Sequence, residues 1–266
     1  MNRSTPSAEL AIIGGTGVYD PNLFQNTREA KLSTPYGPTS PSLFVGKFND
    51  RSVAFLPRHG TDHSIPPHRI NYRANIFALK DLGIKRIIGV SSVGSLKEEL
   101  KPGEFVFPDQ FIDRTKNRPD TFYDGALVAH VSSADPFCPQ INGILANVSR
   151  KESLSHHSVG TYVCIEGPRF STRSESKLFR QWGADIVGMT LYPECILARE
   201  AEICYSSICM VTDYDVWAEK PVSAQEVSAV MGKNVANAKK LILRTLAALP
   251  EERTCNCGAA LSGAII

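Results

Sequence analysis

Short apolar runs alternate with longer amphipathic stretches along nearly the whole chain, and this rhythm restricts the fold more than any single motif. A run of about five apolar residues between turn signals reads as a buried strand. Residues 9–13, 42–46, 52–56, 86–90, 105–107, 126–131, 161–165, 184–188 and 206–210 fit that description. Helical periodicity fits 71–82, 172–182 and 193–203. A further helix opens at Cys138-Pro139 and runs to Ser149, and a long terminal helix ends near Leu249. Thr172 with Glu175, and Ser223 with Glu226, form capping boxes at two helix starts. Gly46 to Asp50 suits a hairpin, Gly83 stops a helix, and the polar stretch 112–124 reads as a loop. Strand and helix in alternation predict an α/β fold, with a central mixed, largely parallel twisted sheet flanked by helices. No linker or repeat divides the chain. One domain is expected over residues 1–266, with a core at 10–249 and a tail at 250–266.

Composition narrows the class of function. Hydrophobic residues are 42% and charged residues 21%, enough for a sizeable core. A formal charge of +2 gives no case for nucleic acid or a membrane surface. No run of about 18 apolar residues and no signal h-region is present, so a soluble, cytoplasmic protein is expected. Most of the seven cysteines sit in apolar runs and read as buried thiols. Cys255-Asn256-Cys257 lies instead in the polar tail, where it could be a redox pair, half of a metal site, or a staple to the body. No second closely spaced Cys or His pair accompanies it, and no metal is expected.

Several expected strand ends carry groups suited to an anion. Gly14-Gly15-Thr16-Gly17 follows the first strand, where glycine lets backbone approach an anion and Thr16 offers a hydroxyl. A dinucleotide fingerprint is the rival reading, but Val18-Tyr19-Asp20-Pro21 follows where a third glycine should open a helix. Arg58 and His59 close the strand at 52–56 and offer donors to a phosphate dianion. His59, His63 and His68 stand among Gly60, Pro66 and Pro67, which forbid the regular helix that would align them on a metal. Ser91 and Ser92 follow the strand at 86–90 as a second anion-friendly end. His130 lies near the end of 126–131. The chain is organised around Val211-Thr212-Asp213-Tyr214-Asp215, at the end of the apolar run 206–210. Ligands in parallel sheets sit beyond such ends. Two carboxylates there need donors, and an amino-bearing purine supplies them; a turn and a helix cap are the plainer reading.

Together these stretches resemble the trimer-forming purine nucleoside phosphorylase superfamily and, within it, the 5′-methylthioadenosine phosphorylases. The resemblance runs from about Leu10 to Leu246. Its carriers include Ile12 to Gly17, Arg58-His59-Gly60, Val93-Gly94-Ser95-Leu96, Asp109 to Thr115, Asp135 to Cys138, Ile165 to Ser171, Trp182 to Asp185 and Thr212 to Asp215. It implies phosphorolysis of an N-glycosidic bond, with inorganic phosphate as co-substrate and no metal or organic cofactor. Carried over by position, phosphate would meet Thr16, Arg58, His59, Ser91, Ser92 and Thr190. Met189 would pack on the ribose, and Phe170 and Ser171 would face the base. Asp213 would protonate N7 and Asp215 would accept from the 6-amino group. Ala224 and Val227 would shape the 5′ pocket beside Met231. His130 would reach a neighbouring subunit's pocket in a homo-oligomer, trimer or hexamer. In thermophilic members, tail cysteines like these join disulfides. A phosphorylase for methylthioinosine or for purine nucleosides broadly, and a nucleotide- or NAD-binding protein, are the alternatives.

Overall fold

The elements, in chain order, are β1 (Leu10–Gly14), β2 (Gln25–Ala30), β3 (Leu43–Phe48), β4 (Arg51–Pro57), α1 (Tyr72–Asp81), β5 (Arg86–Ser95), β6 (Phe105–Val106), β7 (Gln110–Arg114), α2 (Pro139–Lys151), β8 (His156–His157), β9 (Thr161–Ile165), α3 (Arg173–Gln181), β10 (Ile186–Gly188), α4 (Leu191–Glu200), β11 (Cys204–Asp213) and α5 (Ala224–Ala248). They come from a computed structural model that describes residues 8–15, 18, 20, 23–30, 32–40, 43–218 and 224–266, without the side chains of 224, 226–229, 231 and 233.

All the strands belong to one branched, mixed sheet. β5 is its axis. Along one side it pairs in parallel with β11, from Arg86 opposite Cys204 to Val93 opposite Val211. Along the other side its neighbour changes. Residues Arg86 to Gly89 pair in parallel with β1, whereas Gly94 and Ser95 pair antiparallel with β10. The sheet therefore forks beside the middle of β5. The carboxyl ends of β1 and its parallel partner β4 open into this fork. In an α/β sheet a change of neighbour of this kind leaves a crevice at strand ends.

Apolar side chains fill both faces of the sheet. Ile76 and Leu79 of α1 and Leu197 and Ala198 of α4 pack on one side with Ile13, Leu56 and Ile87. Ile141 and Leu145 of α2 and Leu241, Ile242 and Leu246 of α5 pack on the other with Ile12, Ile88 and Ile208. A smaller cluster joins Phe179 of α3 to Val163, Ile165 and Val187.

The helix boundaries follow their caps. The Asn71 side chain accepts from Ala74 N–H, and Gly83 takes a positive φ of 86° just beyond α1. Thr172 and Glu175 form the expected capping box on α3. The corresponding box at Ser223 lies outside the described residues.

Three expectations are corrected. Residues 126–131 form no strand. Leu127 and Val128 are exposed, and only an isolated bridge joins Ala129 to Ile265. The apolar residues there have no sheet edge to meet. The polar stretch 112–124 opens as strand β7, paired with β9, because its backbone partner rather than its side chains decides the conformation. Ser91 and Ser92 lie inside β5 rather than beyond it, since β11 runs alongside and continues the ladder.

The fold also supplies what the spacing of cysteines lacks. Cys138, Cys204, Cys255 and Cys257 come together, so the tail has a second pair of cysteines beside it after all. No sulfur–sulfur bond joins any of the seven cysteines in the structure, and Cys195 is not part of the group.

Candidate active site

A cavity of about 650 Å³ occupies the fork. Gly15 enters from the end of β1, Arg58 and His59 from β4, and Ser91 and Ser92 from β5. Phe170 and Ser171 follow β9, Met189 and Thr190 follow β10, and Asp213 and Asp215 follow β11. β10 runs against β5, so Met189 and Thr190 approach the fork from the opposite direction. Thr16 lies outside the described residues. The side chains of Ala224, Val227 and Met231 do too, although Gly232 and Val235 of the same helix line the cavity. His130 is exposed and does not line the cavity of its own chain.

The acidic pair is placed by a local irregularity. Pairing between β11 and β5 shifts register between Val211 and Asp213, opposite Gly94. Such a bulge re-aims side chains. Gly94 makes the close approach possible, because a Cβ there would sit 2.9 Å from Asp213 Oδ1 and 3.2 Å from Asp215 Cβ. Asp213 Oδ1 accepts from the Asp215 N–H at 2.8 Å, and its Oδ2 accepts from the Thr212 hydroxyl at 2.7 Å. Asp215 holds a left-handed φ of 48° and is buried. Its Oδ2, Ser171 Oγ and Ser176 Oγ are all buried, and none completes a full hydrogen bond, although both hydroxyls lean toward the carboxylate. Burial raises the Asp215 pKa and so favours its neutral form. A left-handed, partly unsatisfied aspartate at the edge of a cavity is the kind of local cost found at functional sites.

The anion-friendly groups converge, with two changes of role. Arg58 is buried, and Glu194 takes its fork. Nε donates to Oε2 and Nη2 to Oε1, each at 2.7 Å, and Nη1 donates to the Val90 carbonyl at 3.1 Å. A guanidinium carries five N–H groups, which leaves two for the cavity. Tyr205 also donates to Glu194 Oε1 at 2.7 Å. Breaking a buried pair of this type costs about 3–5 kcal/mol, so Arg58 also holds the scaffold.

His59 is not simply a donor. Its Nδ1 donates to the Ile65 carbonyl at 2.8 Å, and its ring stacks on His63 with centroids 4.4 Å apart. Burial, with Arg58 close by, holds its pKa down to about 4. The neutral ring then presents Nε2 as an acceptor. It suits a phosphate oxygen that carries a proton, or must itself gain a proton as a dianion arrives. Ser91 Oγ meets Cys209 Sγ at 3.7 Å, and the Thr190 hydroxyl takes no part in capping α4, so both can turn toward a ligand.

Two residues that shape the site carry no sequence signal of their own. Glu194 stands in an ordinary helical run. Arg118 falls within the stretch that reads as a loop. Its guanidinium donates to the carbonyls of Met189 (2.9 Å), Tyr192 (2.6 Å) and Glu166 (2.7 Å). It thereby ties the segment after β9 to the segment after β10, the two that carry Phe170, Ser171, Met189 and Thr190. Paired positions in an alignment could have exposed both residues; a single sequence has no such signal.

Residues 9–247 match the family model of the phosphorylase superfamily. The S-methyl-5′-thioadenosine phosphorylase of Thermofilum pendens is 57% identical over 258 residues, covering 97% of this chain and 98% of that protein. Among solved structures, a methylthioadenosine phosphorylase from an antarctic soil metagenomic library superposes with a TM-score of 0.93 at 46% identity, covering 98% of this chain and 93% of that one. The Schistosoma mansoni methylthioadenosine phosphorylase in complex with adenine superposes with a TM-score of 0.89 at 40% identity, covering 93% of each chain. The chain belongs to the phosphorylase superfamily and, within it, to the family of the methylthioadenosine phosphorylases.

Proposed function

We propose that the chain cleaves 5′-methylthioadenosine with inorganic phosphate, giving adenine and 5-methylthioribose 1-phosphate. One observation carries this reading. Asp213 and Asp215 stand together at one wall of a cavity that also holds Arg58, His59, Ser91 and Thr190. The carboxylate pair suits an amino-bearing base, and the arginine, histidine and hydroxyls suit an oxyanion. The Schistosoma relative is crystallised with adenine. Phe170, Ser171 and Met189 line the same cavity and would meet base and ribose.

Phosphate held by Arg58, His59, Ser91, the backbone at Ser92, Thr16 and Thr190 attacks C1′ from the face opposite the base. The C1′–N9 bond breaks ahead of full C–O bond formation, and the bonding pair leaves with the purine. The phosphate charge stabilises the cationic ribose. Asp213, protonated or sharing a proton with Asp215, delivers it to N7, so adenine departs neutral and the pair is left one proton poorer until solvent restores it. Asp215 accepts from the 6-amino group, a donor that satisfies its unpartnered buried oxygen and draws it into its charged form. No metal or organic cofactor takes part. Ala224 and Val227 favour a small apolar 5′ group. The chain works as a homo-oligomer, trimer or hexamer, in which His130 and the exposed Leu127 and Val128 meet a neighbour.

Phosphate-dependent turnover of methylthioadenosine, adenosine, inosine and methylthioinosine, measured side by side, tests the reading. Methylthioadenosine is expected to lead. A carboxylate facing a 6-oxo acceptor costs several powers of ten in selectivity. A wide lead for inosine or methylthioinosine would overturn the assignment of the acidic pair.

A further inference from the structure

Arg118 does not line the reaction cavity, yet segments that build the cavity meet on its guanidinium. We propose that Arg118 is a positioning residue, which holds the base contacts and the phosphate and ribose contacts in one register so that the nucleophile meets C1′ in line. The role rests on the phosphorolysis proposed above and deepens it.

The place of Arg118 in the fold carries the proposal. The ladder between β9 and β10 ends at Cys164 opposite Gly188. The residues that would meet substrate come after it, Phe170 and Ser171 on one side and Met189 and Thr190 on the other. Arg118 takes over where the ladder stops. Its Nη2 donates to the Glu166 carbonyl at 2.7 Å, and its Nη1 to the carbonyls of Met189 at 2.9 Å and Tyr192 at 2.6 Å. The last two carbonyls bracket Thr190. Nε donates at 3.1 Å to Glu166 Oε2, which also accepts from the Lys116 N–H at 2.7 Å. Gly167 adds a packing contact to this join, since a Cβ there would come 2.6 Å from Met189 Sδ. A third segment is reached through Tyr72. Its hydroxyl accepts from Arg118 Nη1 at 3.3 Å and donates at 3.1 Å to the carbonyl of Pro67, a residue of the cavity lining.

The hydrogen bonds separate Arg118 from Arg58. A guanidinium has five N–H groups. Arg58 keeps two of them for the cavity. Those of Arg118 have acceptors within the protein: Glu166 Oε2 for Nε, the Met189 and Tyr192 carbonyls for Nη1, and the Glu166 carbonyl and, at 3.5 Å, the Ile165 carbonyl for Nη2. Arg118 is buried and has no donor left for a phosphate or a base. Glu166 balances its charge. A lysine ammonium, a point charge with three donors, does not reproduce this planar fork.

Arg118 is itself anchored. The Thr121 hydroxyl and the Phe122 N–H donate to Oε1 and Oε2 of the buried Glu200, each at 2.7 Å, and the Tyr192 hydroxyl donates to Asp120. The loop that carries Arg118 is thereby fastened to α4, the helix that follows Thr190. In-line attack needs reacting atoms about 3–3.5 Å apart, and a displacement of about 1 Å costs about 10²-fold in rate. A side chain that spans both groups of contacts controls that distance.

The test compares Arg118→Ala and Arg118→Lys with the unaltered chain, on whichever of the four nucleosides the unaltered chain cleaves fastest. Arg118→Ala is expected to lower kcat/KM by about 10²-fold. Inorganic phosphate alone and the free base alone, each followed by calorimetric titration, should bind much as they do to the unaltered chain, because each half of the site stays whole. Guanidinium ion, at a concentration that leaves the unaltered chain active, should restore part of the turnover by refilling the space between the carbonyls. Arg118→Lys should keep the charge and still lose most of the activity. If Arg118→Ala fails to fold, Arg118→Lys decides by the same measurements. Unchanged turnover in either variant would overturn the proposal. Loss of turnover together with both binding affinities, without rescue by guanidinium, would show a merely structural role and overturn it too. Turnover of none of the four nucleosides by the unaltered chain would sink the phosphorolysis reading, and the role of Arg118 with it.

Discussion

At the scale of single residues, the site works through side chains whose roles depend on their neighbours. Asp213 and Asp215 look equivalent in sequence, but they differ once folded. Asp213 already accepts from Thr212 and from the Asp215 N–H. Asp215 keeps a buried oxygen without a full partner. Asp213→Asn is therefore expected to lower methylthioadenosine turnover by roughly 10²–10⁴-fold, the usual worth of a general acid, while the apparent phosphate constant changes little. Preference should also move toward 6-oxopurines. Steady-state kinetics on both nucleoside classes check this, and unchanged selectivity would count against the proton role. His59 makes a prediction about stability. Its pKa falls from 6.5 in the unfolded chain to about 4 in the fold. Between those values the unfolded chain binds a proton that the native state refuses, so stability is lost as pH falls through this window. The loss attributable to His59 is at most about 3 kcal/mol. Urea unfolding at a series of pH values should show it, and His59→Gln should flatten that part of the profile.

At the scale of elements, the site depends on a bulge, a fork and a clamp. The bulge in β11 works only because Gly94 leaves room on β5. Gly94→Ala should push the acidic pair out of position. The expected result is a fall in kcat/KM of tenfold or more, at a stability cost of about 1–3 kcal/mol. Adenine affinity should weaken while phosphate affinity holds. Equal loss of both would place the damage elsewhere. The helices were legible because their signals are local: Asn71 and Gly83 bound α1, and Thr172 with Glu175 opens α3. β7 was not legible, because Gln110 to Arg114 is a strand by virtue of its pairing with β9. Residues 126–131 have the composition of a strand but no partner, so they form none. Arg118 escaped notice for the same reason. Nothing near it in sequence shows that it will tie the segments after β9 and β10 together.

At the scale of the whole molecule, the sheet forks around β5 and the helices close both faces, which leaves a large opening where strand ends from both directions meet. Leu127, Val128 and His130 are exposed and do not line that opening. Light scattering is expected to find three or six chains per particle. His130→Ala should then alter the constant for the 5′-substituted nucleoside more than that for phosphate. An active monomer, or a variant with unchanged kinetics, would remove His130 from the site.

Hydrophobic periodicity and capping residues act over a few positions, so the sequence alone determined the α/β class, most helices and strands, and the anion-friendly strand ends at Gly15 and Arg58, whereas Ser91 proved to lie inside its strand. It also marked Asp213 and Asp215 as the pair to explain. Only the tertiary structure decided that Glu194 takes the fork of Arg58, that His59 lines the cavity with its Nδ1 turned to Ile65, that Arg118 joins two segments, and that four cysteines from three segments come within 4.8 Å of one another. Apart from His59, whose partners Arg58, His63 and Ile65 are near it in sequence, each of these depends on partners tens of residues away in the chain, and burial among such partners, rather than residue type, sets a side chain's charge and hydrogen bonds.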